Sequence, residues 1–177
     1  MEASPTFATR ARDTARSTGP LALVVLALGA AGAIMLVVAE LSTVVSVDVL
    51  TTGTCEEIAD PEVRDACSVS GLEQHGGALI LLGVAALLMA VGAGRGASRP
   101  ASVALVVIAV IVVAIVILRD IPASGETGLV GLRYEEAEAG AGSGLYLACV
   151  GAALCAASGL LRLALGRSAA TQQGPSS

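Results

Sequence analysis

The sequence predicts an all-α membrane protein: a bundle of four transmembrane helices with a small, disulfide-closed extracytoplasmic lobe that contains a short β element. Hydrophobic residues make up 55% of the 177 residues and charged residues only 14%, whereas a typical soluble domain has about 25% charged residues. Four uncharged runs are long enough to cross a bilayer. Most of the arginines lie in segments that such a four-span chain would place on one side of the membrane.

A hydrocarbon core about 30 Å thick requires about 20 apolar helical residues. The first run follows Pro20 and the third follows Pro100, where the missing N–H of a helix-opening proline costs nothing. The first run is longer than the apolar part of a signal peptide, so we expect it to remain in the protein. The predicted spans are residues 21–39, 76–94, 101–118 and 141–161, within a membrane domain at 20–166. The outer loops are predicted at 40–75 and 119–140. A disordered arm is predicted at 1–19 and a disordered tail at 167–177.

The arginine distribution predicts the orientation. The two terminal segments and the link between the second and third spans carry seven arginines, and the two long loops carry three arginines and thirteen acidic residues. Basic residues accumulate on the cytoplasmic side of a membrane. Both termini are therefore predicted to be cytoplasmic, and the long loops are predicted to lie on the outer side of the cell membrane (a plasma or inner membrane).

Small residues recur along the fourth span. Gly144, Ala148, Ala152 and Ala156 are spaced four residues apart, which places them on one side of a helix. Helices in lipid associate by close approach at such residues, because lipid tails are as apolar as leucine. We therefore predict that this row packs against another helix, in the same chain or in a second copy.

The first outer loop carries a predicted strand and two cysteines. Residues 42–52 are rich in β-branched side chains, and a short helix is predicted before the second cysteine. Cys55 and Cys67 both fall on the predicted outer side, where disulfides persist, so a structural disulfide is expected. Cys149 and Cys155 lie within the fourth span and are expected to be small, unpaired packing residues.

The second outer loop contains a candidate partner for that strand. Residues 128–134 could form a short extended segment, and pairing it with residues 43–51 would satisfy backbone hydrogen bonds near the membrane surface. A small sheet on the outer surface is therefore predicted.

No predicted span interior carries an acidic residue, an arginine or a histidine, which argues against a pump or secondary transporter. Glu40 and Arg119 lie directly after the first and third spans. The two side chains could contact each other, but the preferred interpretation is that each reaches into the lipid headgroups. The only histidine, His75, could bind a divalent metal with Glu40, Glu73 or Glu135 and Glu136. A histidine at a helix start is more often an interfacial residue, so no metal or cofactor is predicted.

The layout of four spans, a larger first outer loop with a β-rich start and the pair Cys55 and Cys67, and a smaller second loop resembles tetraspan junction proteins of the claudin type. The resemblance covers residues 20–166 and is architectural, because the tryptophans of that family's motif are absent. It implies a topology and no activity. The chain also resembles small four-span membrane proteins of actinobacterial-type genomes, which implies a bacterial inner membrane.

Composition and motifs narrow the function. Three aromatic residues in the whole chain argue against nucleic-acid binding, and the chain lacks a Ser/His/Asp set, a phosphate-binding glycine loop and an H-E-x-x-H motif. We therefore predict a non-enzymatic integral membrane protein with a structural or interaction role, whose partners are the bilayer and a second copy or another membrane protein. The alternatives are a thiol-redox membrane enzyme that uses Cys55 and Cys67, and a small transporter or channel subunit.

Overall fold

The computed structural model describes residues 19–49, 60–61, 65–96, 98–133 and 137–172. The expected arm before residue 19, the predicted short helix between the loop cysteines and the end of the tail lie wholly or largely outside these residues. The elements in chain order are α1 (Pro20–Leu41), β1 (Thr43–Val49), β2 (Ser68–Ser70), α2 (Gly71–His75), α3 (Ala78–Gly96), α4 (Arg99–Ile115, continued by a π-helical turn at Val116–Asp120), α5 (Ile121–Ala123), α6 (Gly128–Arg133), β3 (Ala137–Ala141) and α7 (Ser143–Gln172).

Three helices are long and apolar enough to cross a membrane: Pro20–Leu41, Arg99–Ala123 and Ser143–Leu165. They correspond to the first, third and fourth predicted spans. The second differs, because its apolar helix is limited to Ala78–Gly94, about 26 Å at 1.5 Å per residue. Gly76 and Gly77, predicted as its first residues, have φ angles of 62° and 90° and cannot continue a right-handed helix. The prediction of four equivalent spans is therefore only partly correct.

The four long helices α1, α3, α4 and α7 pack side by side, and we call them the helical core. Helix α1 contacts α3 and α7, and α4 contacts the same two helices from the other side. The buried residues between them are mainly alanine, valine and leucine, with Leu36, Leu79 and Leu105 among the largest. The last helix continues to Gln172, so the first part of the segment expected to be a disordered tail is helical.

The remaining described elements form a lobe at one end of the helical core: β1, β2, β3, α2, α5 and α6. The strands form a sheet in the order β2-β1-β3, with both neighbours antiparallel to β1. The register pairs Val45 with Val69 on one side and Val45 with Ala141 on the other. A second, smaller core beneath the sheet contains Val47, Cys67 and Val130.

The predicted partner strand is in a different place. Residues Gly128–Arg133 form helix α6, and Ala137–Ala141 form the strand that pairs with β1. The prediction for 128–134 is wrong because residues 128–133 are helical; one helical turn places Val130 in the small core, while Leu132 stays 84% exposed. The chain from β3 passes very close to β1, where the amide of Gly142 donates to the carbonyl of Val44 at 2.7 Å. A side chain at position 142 would collide with the carbonyl of Thr43.

Candidate functional site: a buried carboxylate–imidazole–carboxylate cluster

Three ionisable side chains from distant parts of the chain meet where the lobe joins the helical core. His75 Nε2 lies 2.7 Å from Asp120 Oδ1, and His75 Nδ1 lies 3.3 Å from Glu40 Oε2. Both nitrogens of one imidazole ring therefore face a carboxylate oxygen. We call these three residues the junction cluster.

The end of α1 fixes the position of Glu40. The helix stops at Leu41, and the hydroxyl of Ser42 donates back to the carbonyl of Val38 at 2.7 Å. The backbone amide of Gly77 donates to Glu40 Oε1 at 2.6 Å, which ties the carboxylate to the chain that enters α3. Gly71 lies against the backbone of Glu40, where a Cβ would be 2.8 Å from the Glu40 Cα. The sequence therefore needs glycine here for α2 to approach α1.

Helix α2 has only five residues and is defined at both ends. Ser70 and Glu73 form a reciprocal capping box at its start, and these hydrogen bonds to Ser70 hold the pKa of the exposed Glu73 carboxyl below its ordinary value of 4.5. Gly76 ends the helix in the left-handed conformation, with its amide donating to the carbonyl of Leu72 at 2.9 Å. Because both ends are fixed, the last residue of the helix, His75, has a defined direction.

A π-helical turn places Asp120. Residues Val116–Asp120 form one wide turn at the end of α4, followed by Pro122 in the short helix α5. Single π-helical turns inserted in α-helices are rare and occur frequently at functional sites. Asp120 is buried and its neighbour Arg119 is exposed. The extra width of this turn thus presents a carboxylate, and not the adjacent guanidinium, to the interior.

The junction cluster is almost completely removed from solvent. The side chains of Glu40, His75 and Asp120 are 0–1% exposed. One atom of each residue, Glu40 Oε2, His75 Nδ1 and Asp120 Oδ2, is buried without a hydrogen-bond partner. Taking an ion out of water costs several kcal/mol unless it is paired and hydrogen-bonded, so this arrangement depends on the charges of its members compensating one another.

The arrangement does not fit a metal ion. One ion could take only one nitrogen of an imidazole ring, and here the two nitrogens face carboxylates on opposite sides. Among the residues that the structure describes, no group of three or more histidine, cysteine, aspartate or glutamate side chains could hold a metal. Glu135 and Glu136, the other acidic residues considered as ligands, lie outside the described part of the chain.

Two of the three cluster residues, Glu40 and His75, were predicted from the sequence as candidates, and Asp120 was not. Glu40 and His75 lie at ion-pair distance from each other. Arg119 is exposed, and the neighbouring Asp120 contributes the third side chain of the cluster instead. The preferred interpretation of Glu40 as a headgroup-reaching residue is wrong, because its side chain is fully buried. The signal in the sequence for Asp120 was an acidic residue two positions after an apolar span and two positions before Pro122.

The small-residue row lies largely in the interior of the helical core. Gly144, Ala148 and Ala152 are buried, and Ala156 is partly buried. A Cβ at Gly144 would be 2.9 Å from the carbonyl oxygen of Ala39, so the start of α7 touches the backbone of α1. Two further glycines of α7 also make close approaches, Gly151 to α1 and Gly159 to α4.

The cysteines divide into two pairs along the chain. Cys149 and Cys155 are free thiols, the first exposed on the surface of the helical core and the second buried within it. Cys67 is buried in the small core of the lobe. Its expected partner Cys55 lies outside the described residues, so the disulfide between them stays a prediction.

Comparison of the chain with protein-family models, with curated proteins and with solved structures gives no match. Function must therefore be argued from the geometry of the fold and of the junction cluster.

Proposed function

We propose that this chain is a multi-pass protein of the cell membrane that acts without catalysis, by holding its lobe rigidly outside the membrane for contact with another membrane protein, a second copy of the chain included. In this proposal all four helices of the helical core cross the bilayer and both termini are cytoplasmic. The Cys55–Cys67 disulfide would close the lobe. The resemblance to claudin-type and actinobacterial four-span proteins remains part of the proposal.

The observation that carries this proposal is the attachment of the lobe to the helices. Besides the junction cluster, the amide of Gly71 donates to the carbonyl of Ser42 at 3.0 Å, and that of Gly142 donates to Val44. Contacts thus join the lobe to the ends of α1 and α4 and to the starts of α3 and α7. A lobe fixed at all four helices has a constant orientation relative to the membrane, which a contact surface requires.

The alternation of chain direction supports the proposed topology. Helices α1 and α4 end at the lobe, as the positions of Glu40 and Asp120 show, and α3 and α7 begin there. Each helix therefore runs opposite to the one before it, as successive membrane crossings do. Arg99, at the start of α4, lies at the end away from the lobe, and this agrees with a cytoplasmic position for that end.

The environment of His75 supports a role without catalysis. A catalytic histidine needs a nucleophile or a substrate proton within reach, in addition to a carboxylate that orients it. Both ring nitrogens of His75 instead face carboxylates in a buried site. The thiol-redox alternative depends on Cys55 and stays an open prediction.

The lobe exposes apolar side chains that such a contact would cover. Leu132 on α6 is 84% exposed and Leu72 on α2 is 48% exposed, and both belong to the lobe and not to the apolar helices. Exposed large apolar residues rimmed by polar ones mark interaction surfaces when they are grouped. These two residues are the positions at which the contact should be sought.

Cross-linking from outside intact cells tests the proposal. A membrane-impermeant, thiol-reactive photo-cross-linker is added to cells that express Leu132→Cys, Leu72→Cys or, as the control, Gln172→Cys in the proposed cytoplasmic end. We expect both lobe variants to be labelled and at least Leu132→Cys to form a discrete protein adduct. The control should remain unlabelled. Labelling of Gln172→Cys, or a labelled Leu132→Cys that forms adducts with lipid alone, would contradict the proposal.

A further inference from the structure

We infer that Glu40, His75 and Asp120 form a proton-binding site, and that the bound proton holds the lobe to the helical core. This inference goes beyond the proposed contact function, because it concerns a ligand, the proton, and does not depend on which partner the lobe meets. It is carried by the geometry of the ring between two carboxylates and by the burial of all three side chains.

The number of protons in the cluster follows from its contacts. The contact of 2.7 Å between Nε2 and Asp120 is a hydrogen bond, and the approach of 3.3 Å between Nδ1 and Glu40 is an ion-pair distance without a hydrogen bond. Neutral imidazole carries one N–H, so it can donate to Asp120 but leaves the lone pair of Nδ1 facing the second carboxylate. An imidazolium donates to Asp120 and places its positive charge beside both carboxylates, and the cluster then has a net charge of −1.

The bound proton has a structural consequence. When the imidazolium releases its proton to water, two carboxylates and a neutral ring remain in a buried site with a net charge of −2, and one contact becomes repulsive. Both contacts join separate elements, α2 to α1 and α2 to the end of α4. Loss of the proton as the pH rises therefore loosens the lobe at the junction, and uptake of the proton restores it.

The ion pairs that the structure shows for the three cluster residues are with one another. On α2 itself, Glu73 is exposed and engaged with Ser70. On α4, the neighbouring Arg119 is exposed. From α1 the charged group that faces His75 is Glu40, and at the start of α3 the amide of Gly77 is already bonded to Glu40. Among the side chains that the structure describes, the charges that face one another at the junction are thus those of the three cluster residues.

A cavity lies on the lobe side of the junction, and none of the three cluster residues lines it. It has a volume of about 280 Å³, lies between the sheet and the link from α5 to α6, and has Gln74, the residue before His75, together with Glu126 and Thr127 in its walls. In the opposite direction, the described interior of the helical core is apolar until Ser102 and Ser158 near the far end. Among the described residues, no chain of buried polar side chains leads from the cluster to that far end, so the geometry gives no path for conduction through the helical core.

The chain offers a direct readout, because His75 is its only histidine. Full-length protein is purified with a histidine-free tag, labelled with ¹⁵N-histidine and titrated in lipid nanodiscs. We expect the ring to carry two protonated nitrogens at the low-pH end of the titration and one at the high-pH end. Over the same pH interval, hydrogen exchange at the Gly77 amide should become about 10- to 100-fold faster, the loss expected for one charged hydrogen bond.

Two variants separate the cluster from general effects. Asp120→Asn should abolish the pH dependence of exchange, while Glu73→Gln, on the same short helix as His75, should leave it unchanged. If Asp120→Asn does not fold, the wild-type titration decides alone. A wild-type ring that carries a single N–H throughout, or a titration of the ring without any change in exchange at Gly77, would overturn the inference.

Discussion

Replacement of His75 by leucine is expected to lower the free energy of unfolding by about 3–5 kcal/mol near neutral pH, the usual loss when one partner of a buried ion pair is removed. In the His75→Leu variant, Glu40 and Asp120 would face each other across an apolar side chain with no proton donor between them. Reversible unfolding in detergent micelles, followed at several pH values, measures the effect.

A triple variant is the control for His75→Leu. Glu40→Gln keeps an acceptor for the Gly77 amide, and Asp120→Leu removes the second charge, so the triple variant has no buried ion at the junction. Replacing a whole buried charge group by neutral residues of similar size is often neutral or stabilising. We therefore expect the triple variant to recover at least half of the loss. A His75→Leu protein as stable as the wild type, or a triple variant no more stable than the single one, would count against the compensated cluster.

Gly32→Leu is expected to lower the free energy of unfolding by about 3 kcal/mol, at the upper end of the range for overpacking. Helices α1 and α7 approach each other closely at this position. A Cβ on Gly32 would be 2.8 Å from the carbonyl oxygen of Gly151 and 2.8 Å from the sulfur of Cys155. The backbone at Gly151 cannot rotate away as a side chain would, so the two helices must separate and lose their contact.

Ala27→Leu is the matched control on the same helix. Ala27 is exposed on the surface of α1, so a larger apolar side chain there enters the surrounding lipid or detergent. We expect its unfolding midpoint to stay within error of the wild type. Equal midpoints for Gly32→Leu and Ala27→Leu would mean that α1 and α7 are not in contact in the protein.

The long helices were predictable from the sequence because apolar length alone requires them. The ends of α1, α4 and α7 fall within a few residues of prediction, apart from the π-helical extension of α4 and the continuation of α7 to Gln172. The start of α3 was not predictable from hydropathy, because Gly76 and Gly77 are apolar in composition but adopt left-handed conformations that end α2. Hydropathy does not distinguish a helical glycine from a terminating one.

The junction cluster could be predicted only in part, because its contacts are between elements far apart in the chain. His75 and Asp120 are 45 residues apart, and the direction of Asp120 depends on a π-helical turn that no periodicity in the sequence indicates. A charged residue at the end of an apolar run is also ambiguous. The run alone cannot show whether the side chain reaches the headgroups or turns inward, as Glu40 does.

The strand pairing shows the same limit. The β-branched side chains of residues 43–49 identified β1 correctly, because a strand at the centre of a sheet favours them. Its partner β3 consists of Ala, Glu and Gly, which have low strand propensity. It pairs because the tertiary contact of Gly142 with Thr43 and Val44 brings it beside β1. Strand propensity alone therefore indicated residues 128–134, and not β3, as the partner of β1.

A double-mutant cycle between His75 and Asp120 tests the central claim most directly, because it measures the contact that joins the lobe to the helical core. Free energies of unfolding are compared for His75→Gln, Asp120→Asn and the double variant, with a second cycle between His75 and the exposed Glu73 as the reference. The compensated cluster predicts a coupling of about 2–3 kcal/mol for the first pair and close to zero for the second. A coupling below about 0.5 kcal/mol between His75 and Asp120 would contradict it.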